Sequence, residues 1–509
     1  MELDEARTLI RTIVEDPTLT YRQRMHRLAG AAEDVLEYPA LPADAAAALD
    51  KRIICDLHEG PAPHRPRYAL PDYGRALANG SAYLELAPPT TLDDALATLL
   101  ILYTQVPSIT GYPVYVGDWD ELLAPFASQA NEEQLTASLR RFWISMDRML
   151  PDAFTHGDLG PDDSRVTRTV LALERELQQV VPNVTLKVDP DRTPDDLLVD
   201  AVRTVFETGK PHFVNHPLMV RDLGDRYAAV SCYNSLLIGG GAHTLVRLNL
   251  AAVAAQHDGG ADAFVDDALP RWVERTAAVI EARVRYLVEQ ARFYDHSWLV
   301  REGLLDPSRF TAMFGIFGLA ECVNALVSEG RYGHDDEANA LGLRITHRLA
   351  ELVADRAMPH CVDGRCALHS QAGIESDVGA TAGTRIPVGD EPPLVEHLRC
   401  VTPHHDLFTA GISDVLQFDE TARRNPQAVV DIIRGAFATG MRDFTFNLDS
   451  NDFIRITGYL VRKSDLRTVD DGARHGSTFL GAGSVTLGHV DERLPKRVGC
   501  DELQPRPGR

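Results

Sequence analysis

Residues 181–235 read VPNVTLKVDPDRTPDDLLVDAVRTVFETGKPHFVNHPLMVRDLGDRYAAVSCYNS, and this stretch decides the fold class. NVTLKV, from Asn183 to Val188, has the alternating, β-rich character of a strand. TPDDLLVDAVRTVFETG spaces its apolar residues at three and four, with a threonine cap, an early proline and a closing Gly209. PHFVNHPLMV and YAAVSCYNS read as the next two strands. A helix between neighbouring strands is a β–α–β unit, so the stretch predicts an α/β fold.

Upstream, residues 1–180 are mainly helical by pattern, as in TLDDALATLLILYTQ and DDSRVTRTVLALERELQQVV, with prolines between, as in PAPHRPRYALPD. Downstream, DAFVDDALPRWVERTAAVIEARVRYLVEQARFY, RFTAMFGIFGLAECVNALVSEG and DEANALGLRITHRLAELVADRAM read as long helices. Residues 359–403 are loop-rich. NPQAVVDIIRGAFATGM is a helix that leads into the strand DFTFNL. There is no internal repeat and no linker long enough to divide domains. The expectation is one integrated domain, with a helical N-terminal portion (1–180) packed on a core formed by 181–509.

The 509 residues carry a net charge of −23. Such a surface repels nucleic acid and anionic membranes, so neither is expected as a partner. MELDEARTLI is acidic and lacks the apolar region of a secretory signal. The longest apolar run, residues 95–106, is too short to span a bilayer. Seven dispersed cysteines suggest reduced thiols, hence a cytoplasmic protein.

A second informative stretch is NDFIRITGYLVRKSDL, residues 451–466. A turn would account for Gly458. However, Arg455, Ile456, Thr457, Gly458 and Tyr459 also fill the pattern Arg-Val-x-Gly-Tyr, with isoleucine for valine. That pattern resembles the signature of the glycyl radical enzymes. The opening stretch carries the matching half: Pro182-Asn183, Thr208-Gly209, Pro211, Phe213 and Asn215, then Cys232. LVRLNLAAVA resembles the helix that follows the cysteine loop in that superfamily. The whole chain is similar to the YjjI type, with CYNSLLIGGGAHTLVRLNL around the cysteine and ITGYLVRKSDL around the glycine.

The resemblance implies a ten-stranded α/β barrel of two five-stranded half-barrels surrounded by helices. It implies a cysteine loop at about 231–242 and a glycyl radical loop at about 453–462, meeting inside although Gly458 and Cys232 are 226 positions apart (458 minus 232). Gly458 would store a radical, delocalised over the flanking amide and carbonyl and unhindered by a Cβ. Cys232 would give up its hydrogen atom, and the thiyl would abstract hydrogen from a small polar substrate. Arg455 and Tyr459 support the glycine as motif residues. The resemblance also implies a separate radical SAM activase, because this chain lacks a CxxxCxxC pattern. The radical is then the enzyme's own cofactor, with no bound metal expected. A homodimer is compatible with this reading.

The chain departs from better-known relatives in four places. Cys-x-Glu, whose glutamate serves as a base, is here Cys232-Tyr233-Asn234, and an amide takes no proton at neutral pH. Ser231 stands where pyruvate formate-lyase has a second cysteine. His216 follows Asn215 where many members have an acidic residue. The tail after Gly458 is 51 residues long (509 minus 458). The reaction therefore stays open among C–C or C–X cleavage, rearrangement and reduction. Asn215, His216, Asn234, His243, His404, His405 and Asp406 are the substrate-binding or acid–base candidates. The glycines 239–241 read as a tight turn rather than a phosphate loop, since no P-loop lysine follows. CVDGRC with Cys400 gives three sulfurs at irregular spacing, a poor zinc site. One alternative is an enzyme like anaerobic ribonucleotide reductase; the chain shows neither a C-terminal pair of CxxC motifs nor an N-terminal nucleotide domain. The other is a non-catalytic binding protein that keeps the fold; retention of both Gly458 and Cys232 argues against it.

Overall fold

The computed structural model describes residues 3–462, except 18, 20, 56–58, 60–61, 110, 151–153, 232, 371–378, 388, 449 and 456–459. Cys232, Gly458, Tyr459 and the tail from 463 onward thus lie outside the described residues. Fifteen strands are defined among the rest: β1 (Ile54–Cys55), β2 (Tyr68–Leu70), β3 (Tyr115–Asp118), β4 (His156–Leu159), β5 (Asn183–Val188), β6 (His212–Asn215), β7 (Tyr227–Val230), β8 (Asn234–Leu237), β9 (Gly240–Asn249), β10 (Phe310–Phe317), β11 (Cys366–Ser370), β12 (Asp414–Phe418), β13 (Asp443–Leu448), β14 (Phe453–Arg455) and β15 (Leu460–Arg462).

They form two large sheets. In the first, β9, β10 and β11 run parallel, and β1 and β2 both pair antiparallel with β9. The second has the order β12-β13-β6-β5-β4-β3, parallel throughout except where β13 meets β6. Two hairpins, β7–β8 and β14–β15, stand apart from the sheets. The expected α/β class holds, with sheets of five and six strands.

The second sheet alternates in an unusual sense. Leu159, Val184, Leu186, Val188, Phe213, Phe444, Phe446 and Leu448 are buried with the apolar core that the helices share. Phe206, on the helix Asp195–Thr208, meets the Phe446 ring at 5.6 Å, and Phe437, on the helix Pro426–Ala438, meets Phe444 at 5.5 Å. The alternate positions carry His156, Asp158, Asn183, Thr185, Lys187, His212, Asp443, Thr445 and Asn447, and all are buried too. Burial of so many polar groups requires partners for them, so this second face marks the interior where chemistry is to be sought.

Several sequence expectations are corrected. RFTAMFGIFGLAECVNALVSEG is not one helix: Phe310–Phe317 is strand β10, and a helix follows at Leu319–Leu326. Its aromatic residues have strand character and are buried between β9 and β11, where helical spacing does not decide the outcome. LVRLNLAAVA is likewise the end of β9 plus a short helix, Leu250–Ala254, capped by the Asn249 side chain. PHFVNHPLMV is β6 followed by the helix His216–Leu223. The helix Asp195–Thr208 has no side-chain cap; Pro194 sits at its N-cap, and the Thr193 hydroxyl donates instead to the Pro161 carbonyl at 2.7 Å. The first strand by pattern was NVTLKV, yet β1 to β4 precede it, each too short to show a period.

Candidate active site

The β7–β8 hairpin carries Ser231 and Tyr233, the two neighbours of Cys232. The second sheet anchors it from inside. Asp158 accepts a hydrogen bond from the Ala229 N–H at 2.9 Å. Lys187 Nζ donates to the Tyr227 carbonyl at 3.3 Å and lies 4.5 Å from the centre of that tyrosine's ring. The lysine is held by Asp118 at 2.9 Å and Asp158 at 3.9 Å, so the buried cation is compensated. Ser231 and Tyr233 both adopt left-handed backbone, with φ of 56° and 67°. That conformation costs a non-glycine residue about 1–2 kcal/mol, so strain sits on both sides of the cysteine. Gly411 makes room for the loop: a Cβ there would stand 2.1 Å from the Tyr233 carbonyl oxygen.

The loop touches both sheets. From the first, the Tyr68 hydroxyl reaches Ser231 Oγ at 3.4 Å. Tyr68 is fixed by Arg67, which is paired with buried Glu59 at 3.0 Å. From the second, the His212 ring packs 4.5 Å from the Tyr233 ring, and the Ser231 backbone lies beside His156. The two histidine rings are 5.5 Å apart.

Arg455, the residue that opens the glycine motif, reaches the same place. Its backbone is clasped by Asn447 of β13, which accepts from the Arg455 N–H at 2.9 Å and donates to its carbonyl at 3.0 Å. Its guanidinium donates to Asn183 Oδ1 at 3.2 Å and to the Gly209 carbonyl at 3.3 Å. Two motif positions of the opening stretch, Asn183 and Gly209, therefore hold the first residue of the glycine motif. Gly209 also has to be glycine. Its φ is 68°, and a Cβ would meet Leu460 Cδ1 at 2.7 Å. Val180, Val181, Phe453 and Leu460 close the hairpin β14–β15 with a small apolar cluster.

This environment is buried and faces the Arg455 cation. Burial, and then the Arg455 charge, push His156 down to about 3 and hold His212 well below the ordinary imidazole range, so both rings are neutral at pH 7. Asp443 goes the other way. Burial raises its carboxyl to about 7, against the opposing pull of Ser413, Arg455, Arg385 and Arg442.

The other sequence candidates have structural partners. Asn215 caps its helix and donates to the Phe437 and Met441 carbonyls at 3.1 and 3.0 Å. His216 Nδ1 bonds the Tyr227 hydroxyl at 2.9 Å. Asn234 donates to the Val230 carbonyl across the hairpin at 3.1 Å. His243 is held by Tyr294 at 2.7 Å and by the His360 carbonyl at 2.9 Å. His404 lies between Tyr332 and Thr346, and His405 accepts from the Arg442 N–H at 3.0 Å. Asp406 is exposed and paired with Arg221 at 2.6 Å. Of these candidates, only Asn234 belongs to the β7–β8 hairpin itself. The five described cysteines are free thiols, and no cluster of three or more metal-ligating side chains occurs among the described residues. Sequence reading missed His156, His212 and Asp443. Their signal was present in HGDL, PHFVN and DFTFNL: titratable residues alternating with apolar ones.

The comparisons with known proteins agree with this geometry. A family model described as glycyl radical enzyme YjjI-like matches residues 19–496. The chain belongs to that family. Within it, the chain is 46% identical over 496 residues to YjjI of Escherichia coli (strain K12), covering 96% of each. It is 37% identical over 497 residues to a protein of Haemophilus influenzae, covering 94% of this chain and 96% of the relative. Among solved structures, hydroxyproline dehydratase from Clostridioides difficile, with trans-4-hydroxy-L-proline bound, superposes with a TM-score of 0.67 at 11% identity. That match covers 89% of this chain and 86% of the dehydratase, and it shows a shared fold. Glycyl radical enzymes of this family are thus the frame for the convergence of Arg455, Ser231 and Tyr233. Among the described residues no helix is long and apolar enough to cross a membrane.

Proposed function

We propose that Gly458 stores a radical made by a separate radical SAM activase, and that Cys232 relays it to a small polar substrate. The observation that carries this reading is the convergence at His156 and His212. The strand before Gly458 and both neighbours of Cys232 meet there, although they come from opposite halves of the chain. Hydrogen-atom transfer needs its partners in contact and shielded from water and oxygen, and the buried polar interior supports both conditions. Cys232 gives its hydrogen atom to Gly458. The thiyl removes one from a substrate carbon, and the product radical takes it back from the thiol. Tyr233-Asn234 in place of a Cys-x-Glu motif leaves acid–base work to residues outside the cysteine loop.

Activation without oxygen by a matched radical SAM enzyme tests this. The expected result is a carbon-centred EPR doublet, split by the single remaining α-hydrogen of Gly458 and absent in Gly458→Ala. Exposure to air should then release a C-terminal fragment of about 51 residues, visible by mass spectrometry. Cleavage elsewhere in an EPR-positive sample moves the radical off Gly458. No doublet and no cleavage with a competent activase return the motif to a turn.

A further inference from the structure

His212 and Asp443 are diagonal neighbours on the adjacent strands β6 and β13, with His212 Nδ1 and Asp443 Oδ1 3.8 Å apart. Both side chains are buried. Among the described residues, neither ring nitrogen of His212 nor Oδ1 of Asp443 has a hydrogen-bond partner. Unpartnered buried polar atoms are costly and need a reason. The His212 ring lies 4.5 Å from the ring of Tyr233, the residue that follows the cysteine position. The histidines that the sequence nominated, His216, His243, His404 and His405, are by contrast engaged by hydroxyls or backbone groups.

We propose that His212 and Asp443 form the acid–base pair of this enzyme: His212 meets the substrate, and Asp443 positions it and shares its proton. The proposal rests on the radical reading above and gives it a substrate class, a molecule with a hydroxyl on the carbon that loses hydrogen. Once Cys232 has taken the hydrogen atom, the hydroxyl of the carbon radical becomes acidic. Its proton passes to the pair while the O–H electrons stay on oxygen, giving a ketyl radical anion. If a neighbouring group departs with the electron pair of its bond to carbon, the pair protonates it. If none departs, the proton returns to oxygen. The product radical then recovers a hydrogen atom from Cys232, so protons and electrons balance. The pair replaces the base that Asn234 cannot supply.

The surroundings suit a shared proton. Arg455, Arg385 and Arg442 favour the carboxylate of Asp443, and burial favours its acid form, leaving it half-protonated near pH 7. Burial first, then Arg455, His156 and Arg385 around it, keep His212 neutral, so near pH 7 the pair holds at most one titratable proton. Asp158 also interacts with Asp443; burial raises its carboxyl well above the ordinary range, and Asp118 and Asp443 add to that shift.

The test is an infrared titration of the resting enzyme carrying 13C-carboxyl aspartate, with Asp443→Asn to assign the band. Asp443 should titrate near pH 7. His212→Phe should raise its midpoint, by about tenfold in ionisation constant, because the carboxylate loses its potential donor. His212→Gln, which can donate but cannot shuttle a proton, should restore the midpoint. A carboxyl that titrates near 4, or a midpoint indifferent to His212→Phe, overturns the pair. Anaerobic activation of the same samples separates this from the radical reading. A doublet in Asp443→Asn with no coupled titration in the wild type sinks the pair alone. A coupled titration without any doublet leaves the pair standing and sinks the radical.

Discussion

Cys232 is distinguished by its neighbours. Ser231 and Tyr233 are held in left-handed backbone, Ser231 in reach of Tyr68 on the first sheet and Tyr233 packed on His212 of the second. If the cysteine acts after activation, Cys232→Ala should leave the EPR doublet at wild-type yield and remove turnover altogether. Replacing any one of the other six cysteines should leave turnover within about twofold, since surface or core thiols contribute to packing rather than to the reaction. Retained activity in properly activated Cys232→Ala would end the thiyl role.

At the scale of elements, the contact between Gly209 and the hairpin β14–β15 couples the opening stretch to the glycine motif. Gly209→Ala forces a Cβ into left-handed backbone and against Leu460, and disturbs the carbonyl that receives Arg455. The expected cost is about 1–3 kcal/mol in urea unfolding, with a lower radical yield on activation. An unchanged midpoint and an unchanged yield would show that the contact does not matter. The same elements mark what the sequence made legible. β5, the helix Asp195–Thr208, β13 and the helix Pro426–Ala438 were readable because each has a clear period and clear boundaries. β10 was misread because a strand buried on both faces shows no alternation. The motifs point to the cysteine and glycine only by resemblance, and His156, His212 and Asp443 carry no motif at all. Alternation reveals that a strand has two faces, not which of them points inward. Here a polar face is buried, whereas the usual expectation sends it to solvent.

The whole molecule carries an unusual load of buried, neutral histidines. Burial holds His156, His369, His404 and His405 down at about 3 and His243 at about 4, with His212 also well below its ordinary value. In the unfolded chain these imidazoles take up protons as pH falls through about 6.5, while the folded chain refuses them until far lower. Their contribution to stability is therefore present above about 6.5 and is lost as pH falls toward 4. Asp443 and Asp120, both raised to about 7, and Asp158, also raised, work in the opposite sense, because the folded chain keeps their protons. The histidines outnumber them, so acid should destabilise the protein. Each net proton is worth about 1.4 kcal/mol per pH unit. Anaerobic urea titrations at pH 7 and pH 5 check this, and a midpoint that rises at pH 5 would refute it.

The pairing of β13 with β6 also bears on how the protein is made. Asp443 lies opposite Val214, 229 positions away along the chain (443 minus 214). On the ribosome, β6 emerges long before its partner, and the sheet β3 to β6 waits with one edge unpaired. Its polar inner face waits as well, lacking the Asn447 clasp and the Arg455 cation until the last fifth of the chain is translated. Contacts so distant in sequence close slowly, and an open edge invites pairing with other nascent chains. Synthesis of this enzyme thus passes through a long interval in which the half-built sheet depends on dilution or chaperones, and a chain ending before residue 443 should aggregate rather than fold.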